Sequence, residues 1–510
     1  MPDVLDLGTR TVEGAYFLRR RGSGSPAPFM PAGSASDGYR YCFTYAGSAR
    51  TIRSELLSML SAARWKVFVA SFLIGDAEML QALTSAADRL RGGVYVITQL
   101  DEARLRKGLA ELDGEDGLDI QAQKKRFDEM TRQGLYVRGH PNCHAKFAVV
   151  DDEIALVTTA NLMTSALDHT GEAGVVVTNR EEVGRLARLY ARLWHTGCRW
   201  EAYPGEAYAV RGRTPQPWTT PIPRHPMTPV PGVIWTDGDE HDILHTIRDV
   251  LNCAEGELLL ATFSLNGVQR RPKILLDEIH SALARGVRIR LLLRPRRHIS
   301  DHRADAEALA QAGAEIYADP RTHVKVAIAD RRHGAIFSAN FDTARGLTSG
   351  VEVGCRLDGT SALPETVRYI EHAIDQAELE LAVNPSLHDL NRRLDAPWHA
   401  RWPLDDDIEV TATETVWAQF RQAADAGPVL FTLETDDRII LHAQGGSWTL
   451  TGRPGAHRLQ PDNRPRSPAT SRPRLATWLK SHDDQPKRGT CPARIHRAEP
   501  ADDTDHSTGT

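Results

Sequence analysis

Two segments far apart in the chain carry histidine, lysine and aspartate at one spacing, His-x-Lys-x-x-x-x-Asp. They are His144, Lys146 and Asp151 in the first segment and His323, Lys325 and Asp330 in the second. A neutral imidazole can attack phosphorus, and a second, protonated imidazole can donate its proton to the leaving oxygen. Lysine ammonium groups neutralise the charge that builds on the phosphate oxygens. The pattern therefore predicts chemistry at a phosphodiester, and the residues alone leave the order of the two histidines open.

An asparagine and then a glutamate follow each segment. The asparagines end two related stretches, Thr158-Thr159-Ala160-Asn161 and Phe337-Ser338-Ala339-Asn340, and we expect Asn161 and Asn340 to add donors for the phosphate oxygens. Glu172 and Glu352 follow these asparagines after 11 and 12 positions. A carboxylate usually fixes the tautomer of a catalytic imidazole, so Glu172 and Glu352 are candidates for that role. The alternative is an ordinary glutamate at the start of a strand.

Asp151 and Asp330 each lie seven positions after their histidine, which is an odd offset. Side chains alternate along a strand, so a histidine and a lysine two positions apart share one face and the aspartate does not. We therefore expect Asp151 and Asp330 to have a structural role in the turn. Neither segment carries the clustered carboxylates or histidines of a metallohydrolase, so we expect no metal and no cofactor.

Strand-like and helix-like stretches alternate in the same order in both copies. In the first copy they cover residues 65–72, 77–90, 92–98, 102–130 and 134–137. In the second copy they cover residues 257–263, 273–284, 286–292, 304–312 and 313–317. Such alternation predicts an α/β fold of βαβ units, with one largely parallel or mixed sheet per copy and helices on both of its faces.

The composition changes along the chain and indicates domain boundaries. We predict an N-terminal extension (1–45), a first repeat (46–203), a proline-rich linker (204–231), a second repeat (232–384), a small β-rich appendage (385–451) and a disordered tail (452–510). The linker has too many prolines for a helix or a central strand. The tail lacks apolar periodicity.

The duplicated motif, each copy followed by a small residue and an asparagine, resembles the phospholipase D superfamily over residues 50–382. The resemblance implies two α-β-α sandwich repeats related by a pseudo-twofold axis, with one active site where they meet. It also implies a phosphohistidine intermediate, with His144 as the nucleophile and His323 as the acid and base. A glutamate that hydrogen-bonds an active-site histidine is part of the same resemblance. One departure is Thr158-Thr159, where members of the family usually carry Gly-Gly or Gly-Ser.

We accordingly expect an enzyme, a phosphodiesterase or phosphatidyltransferase whose substrate is a phospholipid. A metal-independent nuclease acting on DNA or RNA is the alternative, and a catalytically silent binding scaffold is a second one. The net charge of −5, from 62 Lys and Arg against 67 Asp and Glu, gives the whole chain no attraction to a polyanion. Asn340-Phe341-Asp342 resembles the second motif of cardiolipin synthases, which also favours the lipid.

Other features of the sequence bear on location and partners. The six cysteines are scattered, the N-terminus resembles no secretory leader, and no apolar run is long enough to span a membrane, so we expect a cytoplasmic protein. Residues 452–498 hold eleven Lys and Arg against three Asp. Peripheral contact with an anionic membrane, contact with nucleic acid and a plain disordered tail are the alternatives for this segment. Residues 294–298 are either a loop that meets a substrate phosphate or an ordinary solvated loop.

Overall fold

Both repeats fold into sheets whose strands follow the predicted order. The computed structural model describes residues 3–22, 24–33, 37–100, 120–204, 210–226, 228–296, 300–343, 346–396, 399–435, 438–453, 456–463 and 487–498. The chain divides into two units, one of residues 23–378, which holds both motifs, and one of residues 1–22 together with 379–510. Residues 101–119, within which most of the predicted helix 102–130 falls, lie outside the described residues.

The first repeat forms a nine-stranded mixed sheet. Its strands, in spatial order, are Arg211–Gly212, Trp200–Ala202, Tyr136–His140, Val94–Gln99, Val67–Ser71, Phe147–Val150, Ile154–Thr158, Glu172–Val177 and Tyr39–Thr44. The strand Val67–Ser71 runs parallel to Val94–Gln99 and antiparallel to Phe147–Val150. The central strands are buried on both faces, which matches their continuous apolar, β-branched sequences.

The second repeat has the same topology. Its strands within this unit are, in spatial order, Glu240–His241, Gly232–Asp237, Val351–Arg356, His333–Phe337, Val326–Ala329, Glu257–Thr262, Arg288–Leu293 and Glu315–Ala318. Glu257–Thr262 runs parallel to Arg288–Leu293 and antiparallel to Val326–Ala329. A short parallel pair joins Leu265–Asn266 to Phe341–Asp342. The predicted α/β class and the two related repeats are thus confirmed.

Helices cover the sheets. In the unit that holds both repeats they are Thr51–Ala62, Ala77–Arg89, Ile120–Arg132, Thr164–Asp168, Arg180–Arg192 with a π-helical turn Leu193–Gly197, Asp242–Cys253, Pro272–Ala284, Ser300–Gln311 and Ala362–Asp375. Two of them lie between the repeats. Arg180–Arg192 contacts the second-repeat strand Gly232–Asp237, and Ala362–Asp375 contacts the first-repeat strand Tyr39–Thr44.

One hydrophobic core joins the two repeats. Val175 and Tyr190 of the first repeat belong to the same buried cluster as Trp235 and Val353 of the second. The hydroxyl of Tyr369, in the helix that ends the second repeat, donates to the carbonyl of Thr44 at 3.0 Å. Because these side chains are almost fully buried, separating the repeats would expose a large apolar surface to water.

The other unit is built mainly on an eight-stranded sheet. Its strands, in spatial order, are Val4–Asp6, Arg494–Arg497, Asp407–Thr411, Ala456–Pro461, Gly446–Arg453, Arg438–Ala443, Leu430–Thr435 and Arg488–Thr490. It also contains the antiparallel pair Ala15–Arg19 and Leu379–Val383 and the helices Leu387–Arg393 and Glu414–Asp425. No helix in the described part of the chain is long and apolar enough to cross a membrane.

The structure differs from the predicted boundaries at both ends of the chain. Tyr39–Thr44, inside the predicted N-terminal extension, is a strand of the first sheet. Strands at Ala456–Pro461, Arg488–Thr490 and Arg494–Arg497 lie where a disordered tail was expected, and that prediction is wrong for them. Each has few apolar residues, so pairing with neighbouring strands rather than its own hydrophobic pattern stabilises it. Residues 464–486 and 499–510 of the predicted tail lie outside the described residues.

Asp151 and Asp330 occupy equivalent turns at the ends of the strands Phe147–Val150 and Val326–Ala329. The Asp151 carboxylate accepts the backbone N–H groups of residues 64–66 at 2.7, 2.8 and 2.9 Å. The Asp330 carboxylate accepts those of residues 255–257, each at 2.8 Å. Each aspartate therefore ties a hairpin turn to the start of the adjacent central strand.

We expect Asp330→Asn to lower the free energy of unfolding by about 1–3 kcal/mol, because the amide nitrogen of Asn cannot accept backbone N–H groups. Asparagine tolerates the left-handed backbone at this position, where φ is 49°, so the change tests the hydrogen bonds and not the turn. Urea unfolding at neutral pH measures the effect. Asp277→Asn, on the exposed face of Pro272–Ala284, is the control. Equal stability of the two variants would contradict this role for Asp330.

Candidate active site

Each motif histidine lies on a segment that pairs with the other repeat. His144 follows Cys143, which forms a parallel bridge with Val351, and its N–H donates to the Val351 carbonyl at 2.9 Å. His323 follows Thr322, which forms the equivalent bridge with Gly171, and its N–H donates to the Gly171 carbonyl at 3.0 Å. The backbone thus places each histidine beside the residue that precedes a glutamate of the opposite repeat.

The two glutamates bind the histidines across the repeat boundary. Nδ1 of His144 lies 2.9 and 3.0 Å from the two carboxylate oxygens of Glu352. Nδ1 of His323 lies 2.7 Å from Oε1 of Glu172. An ionised carboxylate only accepts, so Nδ1 carries the proton and Nε2 of a neutral ring has the lone pair that could attack phosphorus.

Hydroxyl groups complete the surroundings of each glutamate. Thr159 donates to Oε2 of Glu172 at 2.5 Å and Thr170 to its Oε1 at 3.0 Å, and Ser338 donates to Oε2 of Glu352 at 2.5 Å. Burial raises the pKa of both carboxyl groups, but the paired imidazole, the nearby lysine and the hydroxyl outweigh it and bring each pKa below its ordinary value. Both glutamates are therefore ionised at neutral pH.

Both lysines contact their own histidines. Nζ of Lys146 donates to the backbone carbonyl of His144 at 2.7 Å, and Nζ of Lys325 lies 2.9 Å from Nε2 of His323. Both lysines are almost fully buried. The side chain of His144 is 22% exposed and that of His323 4%, so the first imidazole is the more accessible to a substrate.

The local backbone around the motifs differs from the expectation of a regular strand. The histidines and lysines lie in extended segments directly before the strands Phe147–Val150 and Val326–Ala329 rather than within them. The pairing of these segments with the other repeat replaces the regular ladder. Asp151 and Asp330 lie after the opposite ends of the same strands, where their carboxylates bind backbone and not the histidines.

The asparagines follow the next strands, near the same sheet edge. Asn161 is 3% exposed. The side-chain oxygen of Asn340 is buried and accepts no hydrogen bond from the described residues. The residue after each asparagine donates its N–H to a hydroxyl at the end of the central strand: Leu162 to Ser71 at 3.2 Å and Phe341 to Thr262 at 3.1 Å. The two asparagines therefore have equivalent positions in the two sheets.

The sequence family follows from a comparison with known families. A family model described as "Cardiolipin synthase, PLD-like domain" matches residues 56–194 and 247–376, together slightly more than half of the chain. The chain belongs to the phospholipase D superfamily. The resemblance identified from the two motifs is confirmed. A comparison with curated protein sequences gives no match.

Several solved structures resemble this phospholipase D family member. Phosphatidylserine synthase from Haemophilus influenzae Rd KW20 has 14% identity and a TM-score of 0.49, over 68% of this chain and 88% of that one. Polyphosphate kinase from Porphyromonas gingivalis has 16% identity and a TM-score of 0.42, over 65% and 50%. Nuc from Salmonella typhimurium has 17% identity and a TM-score of 0.26, over 29% and 97%. Similarities at these levels do not identify a substrate.

Two pairs of residues in this phospholipase D site were not predicted from the sequence. Thr159 and Ser338 each come two positions before an asparagine, so aligning the repeats would have shown a hydroxyl at both positions. Phe72 and Phe263 directly follow the central strands, and their rings pack edge to face on His144 and His323 at centroid distances of 5.0 and 5.1 Å. These rings fix the imidazole planes from the side.

The lowered pKa values of Glu172 and Glu352 predict how stability depends on pH. Their folded pKa lies below the ordinary value of 4.5, so the unfolded chain binds more protons as the pH falls below that value. The stabilisation from both pairs should therefore be complete above about pH 4.5 and be lost as the pH falls through the folded pKa. Urea unfolding between pH 7 and pH 3 measures this dependence.

The comparison variant is the double change Glu172→Gln and Glu352→Gln, which should lose stability less steeply with falling pH than the unmodified protein. Glu181→Gln removes an exposed carboxylate at the start of Arg180–Arg192 and should keep the steep dependence. The same slope in the double variant and the unmodified protein would contradict the assignment.

Proposed function

We propose that the chain is a phospholipase D-type phosphodiesterase or phosphatidyltransferase that acts through a phosphohistidine intermediate. The observation that carries the proposal is the pair of imidazoles, each held through Nδ1 by a buried, ionised glutamate from the opposite repeat. This arrangement gives two rings with a defined tautomer at the junction of the repeats. A binding scaffold has no need to fix the tautomers of two histidines.

In the first step, Nε2 of His144 attacks phosphorus. The new P–N bond forms as the bond to the leaving oxygen breaks, and protonated His323 gives its Nε2 proton to that oxygen. The greater exposure of His144 supports this order. Glu352 stabilises the positive charge that develops on His144, and Glu172 does the same for protonated His323.

In the second step, the acceptor, water or an alcohol, gives its proton to Nε2 of His323 and attacks phosphorus. The P–N bond breaks, and His144 returns to its neutral form as the product leaves. Lys146 and Lys325 offset the charge on the phosphoryl oxygens in both steps. A bound phosphate is a stronger partner for the Lys325 ammonium than Nε2 of His323, so substrate binding frees that nitrogen to take up a proton.

We propose a phospholipid as the substrate. The description of the matching family model names cardiolipin synthase, and the net charge of −5 does not favour the binding of a long polyanion. Within the described part of the chain, no group of three or more His, Cys, Asp or Glu side chains could hold a metal ion, and the two steps above use only side chains of this protein.

We expect His144→Ala to abolish turnover and to prevent any covalent capture of phosphate. His323→Ala should slow turnover by about 10²–10⁴-fold, because acid and base catalysis is lost. A phosphodiester of p-nitrophenol needs no acid to release its leaving group, so His323→Ala should accumulate an acid-labile phosphoenzyme with that substrate. Rapid quench and mass spectrometry detect the adduct. His280→Ala, on the exposed face of Pro272–Ala284, is the control. An adduct in His144→Ala but not in His323→Ala would reverse the two roles.

The substrate class is tested with the purified protein in EDTA, offered phosphatidylglycerol vesicles or single- and double-stranded DNA. We expect release or exchange of the lipid headgroup and no cleavage of DNA. Cleavage of DNA alone would replace the lipid proposal with a nuclease. Inertness toward both, with intact folding, would contradict the catalytic proposal and favour a binding scaffold.

A further inference from the structure

The two buried glutamates differ in the number of hydroxyl groups that donate to them. Glu172 accepts a hydrogen bond from Thr159 at 2.5 Å and a second one from Thr170 at 3.0 Å. Glu352 accepts one from Ser338 at 2.5 Å, and no second hydroxyl of the described residues donates to it. The first repeat therefore supplies its glutamate with one hydroxyl donor more than the second repeat does.

Thr170 donates to the carboxylate oxygen that also holds the imidazole. Oε1 of Glu172 lies 2.7 Å from Nδ1 of His323 and accepts the Thr170 hydroxyl at 3.0 Å. The backbone N–H of Thr170 donates to the carbonyl of Ser165 at 2.9 Å and fixes the residue. That carbonyl lies 3.5 Å from the hydroxyl oxygen, so Glu172 is the closer acceptor for the hydroxyl hydrogen. Two donors thus share one oxygen of Glu172.

The backbone of the second repeat explains why Glu352 lacks the equivalent of Thr170. Thr170 precedes Gly171 and Gly350 precedes Val351, and each of these following residues forms the bridge to a segment of the opposite repeat. Thr170 and Gly350 therefore occupy corresponding positions. The φ angle of Gly350 is 88°, a left-handed backbone that threonine adopts only with strain. The difference between the two glutamates is thus a consequence of the fold of each repeat.

The additional hydroxyl bears on the acid step of the proposed reaction. In that step protonated His323 gives its Nε2 proton to the leaving oxygen, and ionised Glu172 opposes the loss because it stabilises the imidazolium. A hydroxyl that donates to the carboxylate stabilises the carboxylate charge, which makes Glu172 a weaker acceptor for the Nδ1–H group. The imidazolium therefore releases its proton more readily. The charged neighbour on the other ring nitrogen is Lys325, whose Nζ lies 2.9 Å from Nε2.

We propose that Thr170 is a positioning residue that moderates the hold of Glu172 on the proton of His323. It thereby favours transfer of that proton to a poor leaving group, such as the oxygen of an aliphatic alcohol. This inference rests on the proposed function for the role of His323 as the acid. His144 gives no proton to the leaving oxygen, so the glutamate with the additional hydroxyl is the one that holds the acid.

The first test observes the hydrogen bond itself. Thr170→Val removes the hydroxyl and keeps the shape of the side chain. NMR of protein labelled with ¹⁵N in its histidine rings detects the Nδ1–H protons, and the signal of His323 is identified by its loss in His323→Ala. Because Glu172 becomes a stronger acceptor when it has one donor fewer, we expect Thr170→Val to move the Nδ1–H proton of His323 downfield and to leave that of His144 in place.

The second test is the single-turnover rate of leaving-group release from two lipids. The alcohol of phosphatidylglycerol needs an acid to leave, whereas the p-nitrophenol of a phosphatidyl-p-nitrophenol ester does not. We expect Thr170→Val to slow headgroup release from phosphatidylglycerol by about two- to tenfold, which corresponds to one hydrogen bond, and to keep the rate of p-nitrophenol release. The KM for both lipids should stay the same, because the proposed effect of Thr170 is on proton transfer and not on binding.

Matched variants separate the hydroxyl from the fold. Thr170→Ser restores the hydroxyl and should restore both the position of the His323 signal and the rate. Thr178→Val removes an exposed hydroxyl just beyond the other end of the strand Glu172–Val177 and should change neither. Thr170→Ala provides the same test if the valine variant does not fold.

An unchanged His323 signal in Thr170→Val would overturn the proposal. An equal loss of rate on the two lipids would also overturn it, because the change would then disturb the whole site and not the acid alone. The same holds if Thr170→Ser behaves like Thr170→Val. A shifted His323 signal, together with no turnover of either lipid by the unmodified protein, would support the effect of Thr170 on the hydrogen bond and refute the proposed reaction.

Discussion

Glu172 and Glu352 are ionised carboxylates buried inside the protein, and each finds its imidazole partner in the other repeat. A carboxylate removed from water is strongly unfavourable unless a cation or hydrogen-bond donors compensate. Thr159 and Thr170 donate to Glu172, and Ser338 donates to Glu352. The histidine supplies a further donor to each glutamate. Either repeat alone would leave its glutamate without that imidazole. The requirement to satisfy these carboxylates therefore links the association of the repeats to the construction of the site.

The backbone bridges and the shared hydrophobic core also stabilise the association of the two repeats. The bridges at Cys143 and at Thr322 align each histidine with the residue before a glutamate, and the core shared by the repeats holds the bridges in place. The site is nevertheless not symmetric. The side chain of His144 is 22% exposed and that of His323 is 4% exposed, and the guanidinium groups of Arg294 and Arg296 lie near Phe263, the ring that packs on His323. A symmetric fold thus carries two histidines with different environments.

Much of this fold was predictable because the strands and helices of the repeats have clear periodicity, and the two motifs are long enough to be recognised. The role of the two glutamates in orienting histidines could be predicted from their positions after Asn161 and Asn340. The pairing of each glutamate with the histidine of the opposite repeat could not. Each glutamate follows its asparagine at nearly the same offset, and these offsets are compatible with a histidine partner in the same repeat as well as in the opposite repeat. The strands Ala456–Pro461 and Arg488–Thr490 were missed because pairing with neighbours, and not an apolar pattern of their own, defines them.

The pairing of each histidine with the glutamate of the opposite repeat can be observed directly by NMR of protein labelled with ¹⁵N in its histidine rings. At neutral pH, the spectra should show His144 and His323 protonated at Nδ1. Glu352→Gln should shift the ring nitrogens of His144 and leave those of His323 in place, and Glu172→Gln should do the reverse. If Glu352→Gln instead shifted His323, and Glu172→Gln shifted His144, each repeat would form its own pair, and the account of a single site built from both repeats would be contradicted.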